Sequence, residues 1–358
     1  MVDRLTKARR NDEGSMESGL GRSRRRPSMS DVGKAANVSA QTVSRFYTGG
    51  YVSSDARHRI ESAVAELGYQ HSRLPQILRY QRTNAIGFLN MGPLNFGNAG
   101  ILTGISHAAR AAGQALLTSQ VDLDPDTPGA RKEIERTLRN LTSMRVDGLV
   151  IGTPYVGVED LIEQISGTVP VVSLSEAPVP ATRTVHADSY GGARLAVRHL
   201  IDLGHRRILH LAGPGNRNEA AARIAGYRDE LCVARIDALE PYRCREWDAD
   251  SGAEAGRAAD PSTFTAVFAA NDEIALGFMA ELRTRGMHAP ADYSIVGIDD
   301  MPEAKYFSPP LTTSRLDFVQ LGETAMRVIL DRVNETESEV TTLIPAQLMV
   351  RESTGSPR

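Results

Sequence analysis

Thiols are almost missing from this chain: Cys232 and Cys244 are its only cysteines in 358 residues. That inventory excludes a disulfide framework, and free, buried or partly buried thiols in a reducing cytosol are expected. Long apolar runs are also lacking. No stretch of about 18 apolar residues occurs, so no membrane span is expected. The basic N-terminus is not followed by an apolar segment, which argues against a secretory signal and for a cytoplasmic protein. His186, His199, His205 and His210 show no HExxH spacing, so structural histidines and no metal are expected. Neither a phosphate-cradling P-loop nor a GxSxG elbow occurs, and no cofactor is expected. Tryptophan occurs once, at Trp247.

What is present is ample core and an uneven charge. Hydrophobic residues make up 41% of the chain, enough for two or three domains. The net charge is −3, but residues 1–82 hold 15 Lys and Arg against 8 Asp and Glu, a net of +7. The remainder carries a net of −10. A basic amino-terminal part on an acidic body suits contact with phosphate. Residues 1–27 carry Arg9-Arg10 and Arg22-Ser23-Arg24-Arg25-Arg26 without periodicity and read as a disordered basic tail, either merely solvated or an auxiliary contact to DNA backbone.

From Pro27 to Phe46 the pattern is two short helices with a sharp turn between them. Ser30 is read as the first N-cap. Val32, Ala35 and Ala36 form an apolar stripe, and Asn37 tolerates the left-handed backbone of a tight exit. Ser39 caps a second helix whose inward positions are Val43 and Phe46, leaving Ala40, Gln41, Ser44 and Arg45 on the opposite face. Gln41 suits bidentate bonding to adenine, Arg45 suits guanine or phosphate, and Ala40 is small enough for close approach. This is the arrangement of a recognition helix in a major groove; the plain alternative is a solvated helix pair. Gly49-Gly50 makes a turn, and Tyr51-Val52-Ser53-Ser54 leads into a third, serine-capped helix with Ile60, Ala63, Val64 and Leu67 inward and Gly68 at its end.

The run Met29–Tyr69 resembles the DNA-binding headpiece of the LacI/GalR family through Asp31-Val32, Val38-Ser39, Thr42-Val43-Ser44-Arg45, Tyr51-Val52-Ser53 and Ala65-Glu66-Leu67-Gly68-Tyr69. The resemblance implies DNA contacts from Ser39, Ala40, Gln41, Thr42, Ser44, Arg45, Tyr51 and Ser53. Gly33 and Asn37 stand where the family usually has alanine and glycine, and Gly33 is expected to weaken the first helix by roughly 0.5–1 kcal/mol. The next segment, Gln70–Arg82, is too short to be helical alone in water. In the family it folds on DNA as a hinge helix whose leucine wedges into the minor groove; Leu78 matches that leucine. Arg73, Arg79 and Arg82 would lie near phosphates. Pro75 replaces the usual alanine, and with Ser72 as N-cap it still falls in the first turn, where its missing N–H has no intrahelical partner. An ordinary linker is the alternative.

From Asn84 onward short apolar strands alternate with amphipathic helices, which implies parallel sheets covered on both faces. Strands are expected at 85–89, 115–121, 148–151, 169–174, 207–212, 265–269 and 294–298, and helices at 101–112, 132–144, 192–203, 220–233 and 273–285. A late strand at 312–317 and a helix at 319–333 are expected to cross back and complete the first half. The LacI/GalR resemblance continues through Val146-Asp147-Gly148, His199–His205, Leu211–Pro214, Arg223–Tyr227, Ala270–Asp272, Ser294–Asp300 and Pro310–Thr313. The expected fold is therefore an all-α helix-turn-helix headpiece plus an α/β periplasmic-binding-protein-like (type I) body of two doubly wound parallel-sheet subdomains. The boundaries read as tail 1–27, headpiece 28–71, hinge 72–83 and an effector-binding and dimerisation domain 84–350. Within that domain, subdomain one spans about 84–188 plus 317–344, and subdomain two about 189–316 plus 345–353.

In such sheets a ligand sits beyond the carboxyl ends of the strands. Polar residues gather there at Ser175, Asp188, Asn271-Asp272 and Asp299-Asp300. The resemblance implies effector contacts from Arg223, Trp247, Asn271, Asp299 and Phe318, with Met91, Asn95, Asn98 and Ile101 flooring the pocket. Ser175 stands where galactoside-responsive members carry a hydroxyl-binding aspartate, so a sugar or glycoside is expected without a galactoside being specified. Asn271-Asp272 could serve only as a helix cap, and Asp299-Asp300 lacks an evident partner carboxylate for acid–base work. No heptads close the chain, so a homodimer on palindromic double-stranded operator DNA is expected.

These readings converge on a cytoplasmic, nucleoid-associated transcription repressor, not an enzyme, controlled by a small carbohydrate. A purine or other corepressor is the alternative ligand logic. A solute-binding protein shares the body fold, but a signal peptide and no headpiece would be expected of it.

Overall fold

The computed structural model describes residues 26–71 and 82–357. The tail up to residue 25 and the hinge positions Arg73, Pro75, Leu78 and Arg79 lie outside the described residues. The chain divides into two compact units, one formed by the first 79 residues and one by the rest.

The first unit holds three helices: α1 (Met29–Ala35), α2 (Ala40–Tyr47) and α3 (Ser54–Leu67). The cap of α1 is Ser28, not Ser30. Its Oγ accepts from Asp31 N while the Asp31 carboxylate accepts from Ser28 N at 2.8 Å, a reciprocal capping box that starts the helix two residues earlier than expected. Val32 and Ala36 are buried, but Ala35 faces solvent and Gly33 takes the inward place. A Cβ on Gly33 would lie 2.9 Å from Val38 O and 3.2 Å from Ala40 N. The bare Cα thus lets the turn fold against α1, which offsets the low helix propensity of glycine. Asn37 takes the left-handed conformation at φ 53°. Ser39 and Ser53 cap α2 and α3, and Gly68 closes α3 at φ 60°. Val32, Ala36, Val43, Ile60, Ala63 and Tyr69 form the core.

The second unit contains two six-stranded sheets. The first runs in the order β11 (Thr341–Ile344), β5 (Arg183–Ala187), β4 (Val171–Leu174), β3 (Gly148–Gly152), β1 (Ala85–Met91), β2 (Ala115–Val121). The second runs β12 (Gln347–Met349), β10 (Thr312–Arg315), β9 (Ser294–Asp299), β8 (Ala266–Ala269), β6 (Ile208–Ala212), β7 (Tyr242–Arg243). Every pairing is parallel except that of β10 with β12. Central strands such as β1, β3 and β9 are buried along their whole length, as parallel strands sandwiched between helices must be.

The helices are α4 (Phe96–Ala111), α5 (Ala130–Ser143), α6 (Glu159–Ser166), α7 (Ser189–Asp202), α8 (Asn218–Val233), α9 (Ala249–Ala258), α10 (Asp272–Thr284) and α11 (Phe318–Val333). The late strand does not cross back: β10 stays in the second sheet beside β9, and the chain returns with α11, which packs on α4 and the first sheet, and with β11, which joins that sheet beside β5. The chain therefore passes between the halves three times, near residues 188, 317 and 345. One apolar cluster, from Phe88 and Val150 through Leu316 and Ile344 to Phe268 and Val296, joins the halves at these crossings.

Arg82 departs from its expected place near phosphate. Its guanidinium donates to Asn334 Oδ1 at 2.7 Å and to Val333 O, at the C-terminus of α11, where backbone carbonyls favour a cation. Thr83 and Asn84 donate to the Asp147 carboxylate, which ties the chain to the body at its start.

Replacing Ser28 by alanine is expected to cost the headpiece about 1 kcal/mol. Amide exchange across α1–α3 of the intact chain should then quicken roughly fivefold. Ser30→Ala, at an exposed site, should change it by less than about 0.5 kcal/mol.

Candidate functional site

On the first unit the exposed face of α2 carries Ala40, Gln41 and Arg45, with Ser44 half-buried beside them. The hydroxyls of Ser39 and Thr42 are 2.9 Å apart, and Ser39 Oγ also accepts from Thr42 N, so both start the helix as well as facing outward. Ser53 is likewise engaged as a cap, accepting from Ala56 N. Tyr51 is 90% exposed. A side chain that large and that free of packing offers a hydrogen-bonding tip and a ring to a partner surface. Gln41 and Arg45 are thus the two long polar side chains that α2 projects into solvent.

On the second unit a cavity opens at the carboxyl ends of β1, β4, β5, β8 and β9. All eight body residues singled out in the sequence line it: Met91, Asn95, Ser175 and Phe318 from the first half or its crossing, and Arg223, Trp247, Asn271 and Asp299 from the second. Asn98 and Ile101 line it too. Asp188, Asp272 and Asp300 do not. Asp188 caps α7 by accepting from Gly191 N. Asp272 is fully buried and accepts from Thr313 Oγ1 and Met301 N, and burial followed by the nearby Asp299 holds its pKa well above the usual range. Asp300 is held by Arg315 and Arg351. Neighbouring residues at a strand end point to opposite sides, which separates Asp299 from Asp300.

The guanidinium of Arg223 is the pivot of the floor. It donates to Ala270 O at 2.5 Å, lies 4.9 Å from the Trp247 ring centroid and stands 3.8 Å from Asp299 Oδ1. Trp247 fits against the strand end because Gly213 has no Cβ, which would otherwise strike the indole. Asn271 uses both ends of its amide within the protein: Oδ1 caps α10 and Nδ2 donates to Trp247 O. It is therefore a cap and a strut for the indole as well as a wall of the cavity. Phe318, which meets Phe96 edge-on, walls the opposite side. Asp299 has φ 117°, a conformation rare for a non-glycine residue and typical of functional strand ends.

Four ionisable lining residues were not placed in the cleft from sequence: Glu176, His186, Arg217 and Glu219. His186 faces Glu176 at 3.3 Å, and that hydrogen bond raises its pKa against the opposing effect of burial. Glu219 precedes Arg223 by one helical turn, a spacing that puts both on one face of α8 and could have been read. The others meet only through the sheet. Burial pushes Asp299 up to about 7, with Arg223 opposing. Burial likewise pushes Glu219 up to about 7, and Glu219 Oε2 has no partner.

The loop 214–218 spans the cleft. Asn218 N donates to Pro154 O and Val156 N to Asn216 O, while Asn218 Nδ2 donates to Thr153 O and Ser175 Oγ. Asn216 Nδ2 donates to Asp124, and the Arg217 guanidinium covers the Tyr155 ring at 3.7 Å.

Residues 28–72 match the bacterial regulatory proteins of the lacI family, and residues 197–354 match a periplasmic binding protein-like domain. The chain is 31% identical over 334 residues to the lactose operon repressor of Escherichia coli (strain K12), covering 91% of this chain and 90% of that one. The chain belongs to the lacI family. It is also 31% identical over 313 residues to the ribose operon repressor of the same strain, covering 86% and 93% of the two chains. The crystal structure of the lac repressor dimer bound to operator and the anti-inducer ONPF superposes with a TM-score of 0.84 at 29% identity, over 93% of this chain and all of that one. As a lacI-family protein the chain is a DNA-binding transcriptional regulator and not an enzyme. Among the described residues no helix is long and apolar enough to cross a membrane, and no cluster of His, Cys, Asp and Glu is arranged to hold a metal.

The raised carboxyl of Glu219 has a checkable sign. A folded pKa near 7, above the ordinary value, stabilises the fold at low pH and loses that contribution as pH rises through 7. Relative to Glu219→Gln, the unsubstituted protein should gain roughly 1 kcal/mol between pH 8 and pH 6.5 in urea unfolding. His199, His205 and His210, whose pKa values burial lowers, act in the opposite sense in both proteins and cancel in the difference.

Proposed function

We propose that this regulator is a repressor whose operator affinity is controlled by a carbohydrate bound in the cleft of its body. One observation carries the reading: a cavity that alternates carboxyls, guanidiniums and hydroxyls between two aromatic walls. Neighbouring sugar hydroxyls both donate and accept, which suits Asp299, Glu219, Arg223 and Ser175. The apolar face of a pyranose suits Trp247 and Phe318. Met91 and Asn95 complete the wall beneath it.

The headpiece docks α2 in the major groove, with Gln41 and Arg45 reading base edges and Ala40 permitting close approach. Ser39, Thr42, Ser44, Tyr51 and Ser53 meet phosphates and sugars around them, a role that positions without specifying sequence. Arg73 and Leu78 act in the hinge, the leucine as a minor-groove wedge. The protein works as a homodimer on a palindromic operator, in the cytoplasm and on the nucleoid. Its body has two arrangements, one that pairs the hinges and one that separates them, and the sugar binds better to the second. The bonds from loop 214–218 to the first half distinguish such arrangements, because they exist only while the two halves stay closed.

Trp247 is the only tryptophan, so its emission reports the cleft directly. Titration with neutral sugars should shift that emission and release operator DNA in parallel; a purine that shifts it and tightens DNA binding would instead establish corepression. Arg223→Ala should abolish the sugar response while operator binding persists. Gln41→Ala or Arg45→Ala should each lower the preference for operator over random DNA by about 10- to 100-fold. Unchanged specificity in both variants would remove α2 as the base-reading helix.

A further inference from the structure

The charged groups that line the cavity do not pair off completely. Asp299 stands 3.8 Å from the Arg223 guanidinium. Glu176 is engaged at both oxygens, Oε2 facing His186 Nδ1 at 3.3 Å and Oε1 accepting from Ser189 N at 3.3 Å. Arg217 stacks on Tyr155 and also lines a wider outer chamber that shares Trp247 as a wall and is made acidic by Asp122, Asp124 and Glu273. Glu219 is left over. It lines the cavity, no other residue makes an ion pair or hydrogen bond to it among the described residues, and its Oε2 is buried without a partner.

Glu219 and Glu176 come from opposite sides of the cleft, Glu219 from the first turn of α8 and Glu176 from the end of β4. Their preceding neighbours are joined across it, where Asn218 Nδ2 donates to Ser175 Oγ at 2.9 Å. Beyond that bond both carboxyls line the same cavity. Burial disfavours the ionised form of Glu219, and the like charge of Glu176 adds to the effect; its own backbone N–H, Arg223 and Arg217 oppose it without cancelling it. Two carboxyls on facing walls, one of them with no counter-charge of its own, leave this end of the cavity short of a cation. Among the residues that line it, neither guanidinium is free to move there, since Arg223 is held by Ala270 O and Arg217 by the Tyr155 ring.

We propose that the effector is an amino sugar, and that its ammonium group binds between Glu219 and Glu176, tying one half of the body to the other. This rests on the carbohydrate reading of the cavity. An ammonium carries three N–H donors and a full charge, so it can donate to carboxylates on both walls at once. A hydroxyl at the same place supplies a hydrogen bond but no charge, and binds more weakly. An N-acetyl group removes the charge and adds bulk. A uronate or phosphate there adds a third like charge and is rejected. The pair Glu219 and Glu176 thus separates amino sugars from their neutral and acidic counterparts, while Trp247, Phe318, Arg223 and Asp299 hold the ring that all of them share.

The test is equilibrium titration of the intact protein at pH 7, read by Trp247 emission and by operator release. The ligands are glucosamine, galactosamine, mannosamine and 6-amino-6-deoxyglucose, each beside its parent hexose, with the N-acetyl derivatives of the first three as uncharged controls. The best-bound amino sugar should bind about tenfold tighter than its parent and than any N-acetyl derivative. In Glu219→Gln, which keeps the shape and removes the charge, the ratio of amino sugar to parent should fall toward one, and Glu176→Gln should lower it in the same direction. The comparison within the unsubstituted protein decides the proposal even where a variant does not fold. Parent hexoses that bind as tightly as every amino sugar, or a ratio that Glu219→Gln leaves unchanged, would overturn the ammonium site and leave the carbohydrate reading intact. Failure of every sugar, charged and neutral alike, would overturn both.

Discussion

Burial of parallel strands on both faces is the constraint from which the body's chemistry follows. Strands such as β1, β3 and β9 expose no side to water, so they are mostly apolar along their length. The polar side chains that line the cleft sit mainly where the strands stop. Met91, Ser175, Asn271 and Asp299 are all such stops, and the three chain crossings between the sheets bring those ends face to face. The cleft is the gap left between two cores that are joined on one side by Leu316, Ile344 and their neighbours.

Within that gap electrostatics and packing are inseparable. Arg223 is held by a backbone carbonyl and by the face of Trp247, and it stands opposite Asp299 without closing a hydrogen bond to it. Asp299 and Glu219 are both pushed toward neutrality by burial, and Asp299 Oδ1 and Glu219 Oε2 lack partners. Such unmatched groups cost stability in the empty protein. A polyhydroxylated ligand would match them, and a ligand that recovers this energy in one arrangement of the halves favours that arrangement. Loop 214–218 lies at the junction of these effects, since it carries Arg217 into the cleft and bonds to the opposite half through Asn216 and Asn218.

Local signals were readable wherever a single element decides the outcome. The turn at Asn37, the caps at Ser39 and Ser53, the stop at Gly68 and the central strands all follow from neighbouring residues. Errors arose where an element depends on another. The capping box through Asp31 displaced Ser30 as the cap, and Ala35 turned outward because Gly33 permits the tighter contact with the turn. Arg82 found helix-end carbonyls 251 residues away along the chain. The late strand at Thr312–Arg315 pairs with β9 rather than crossing back, a choice made by sheet order and invisible to periodicity.

The sequence by itself determined the family, the helix-turn-helix, the alternation of strands and helices and the eight residues that meet in the cleft. The helix-turn-helix and the alternation follow from short-range spacing, because caps, turns and apolar periods act over one or two turns of chain; the cleft residues followed from the family resemblance. Only the tertiary structure decided which polar groups are left unmatched there. The contact of His186 with Glu176, the stacking of Arg217 on Tyr155, the isolation of Glu219 and the acidic outer chamber each join segments distant in sequence. Burial and like-charge proximity depend on all neighbours in space, and sequence order does not record them.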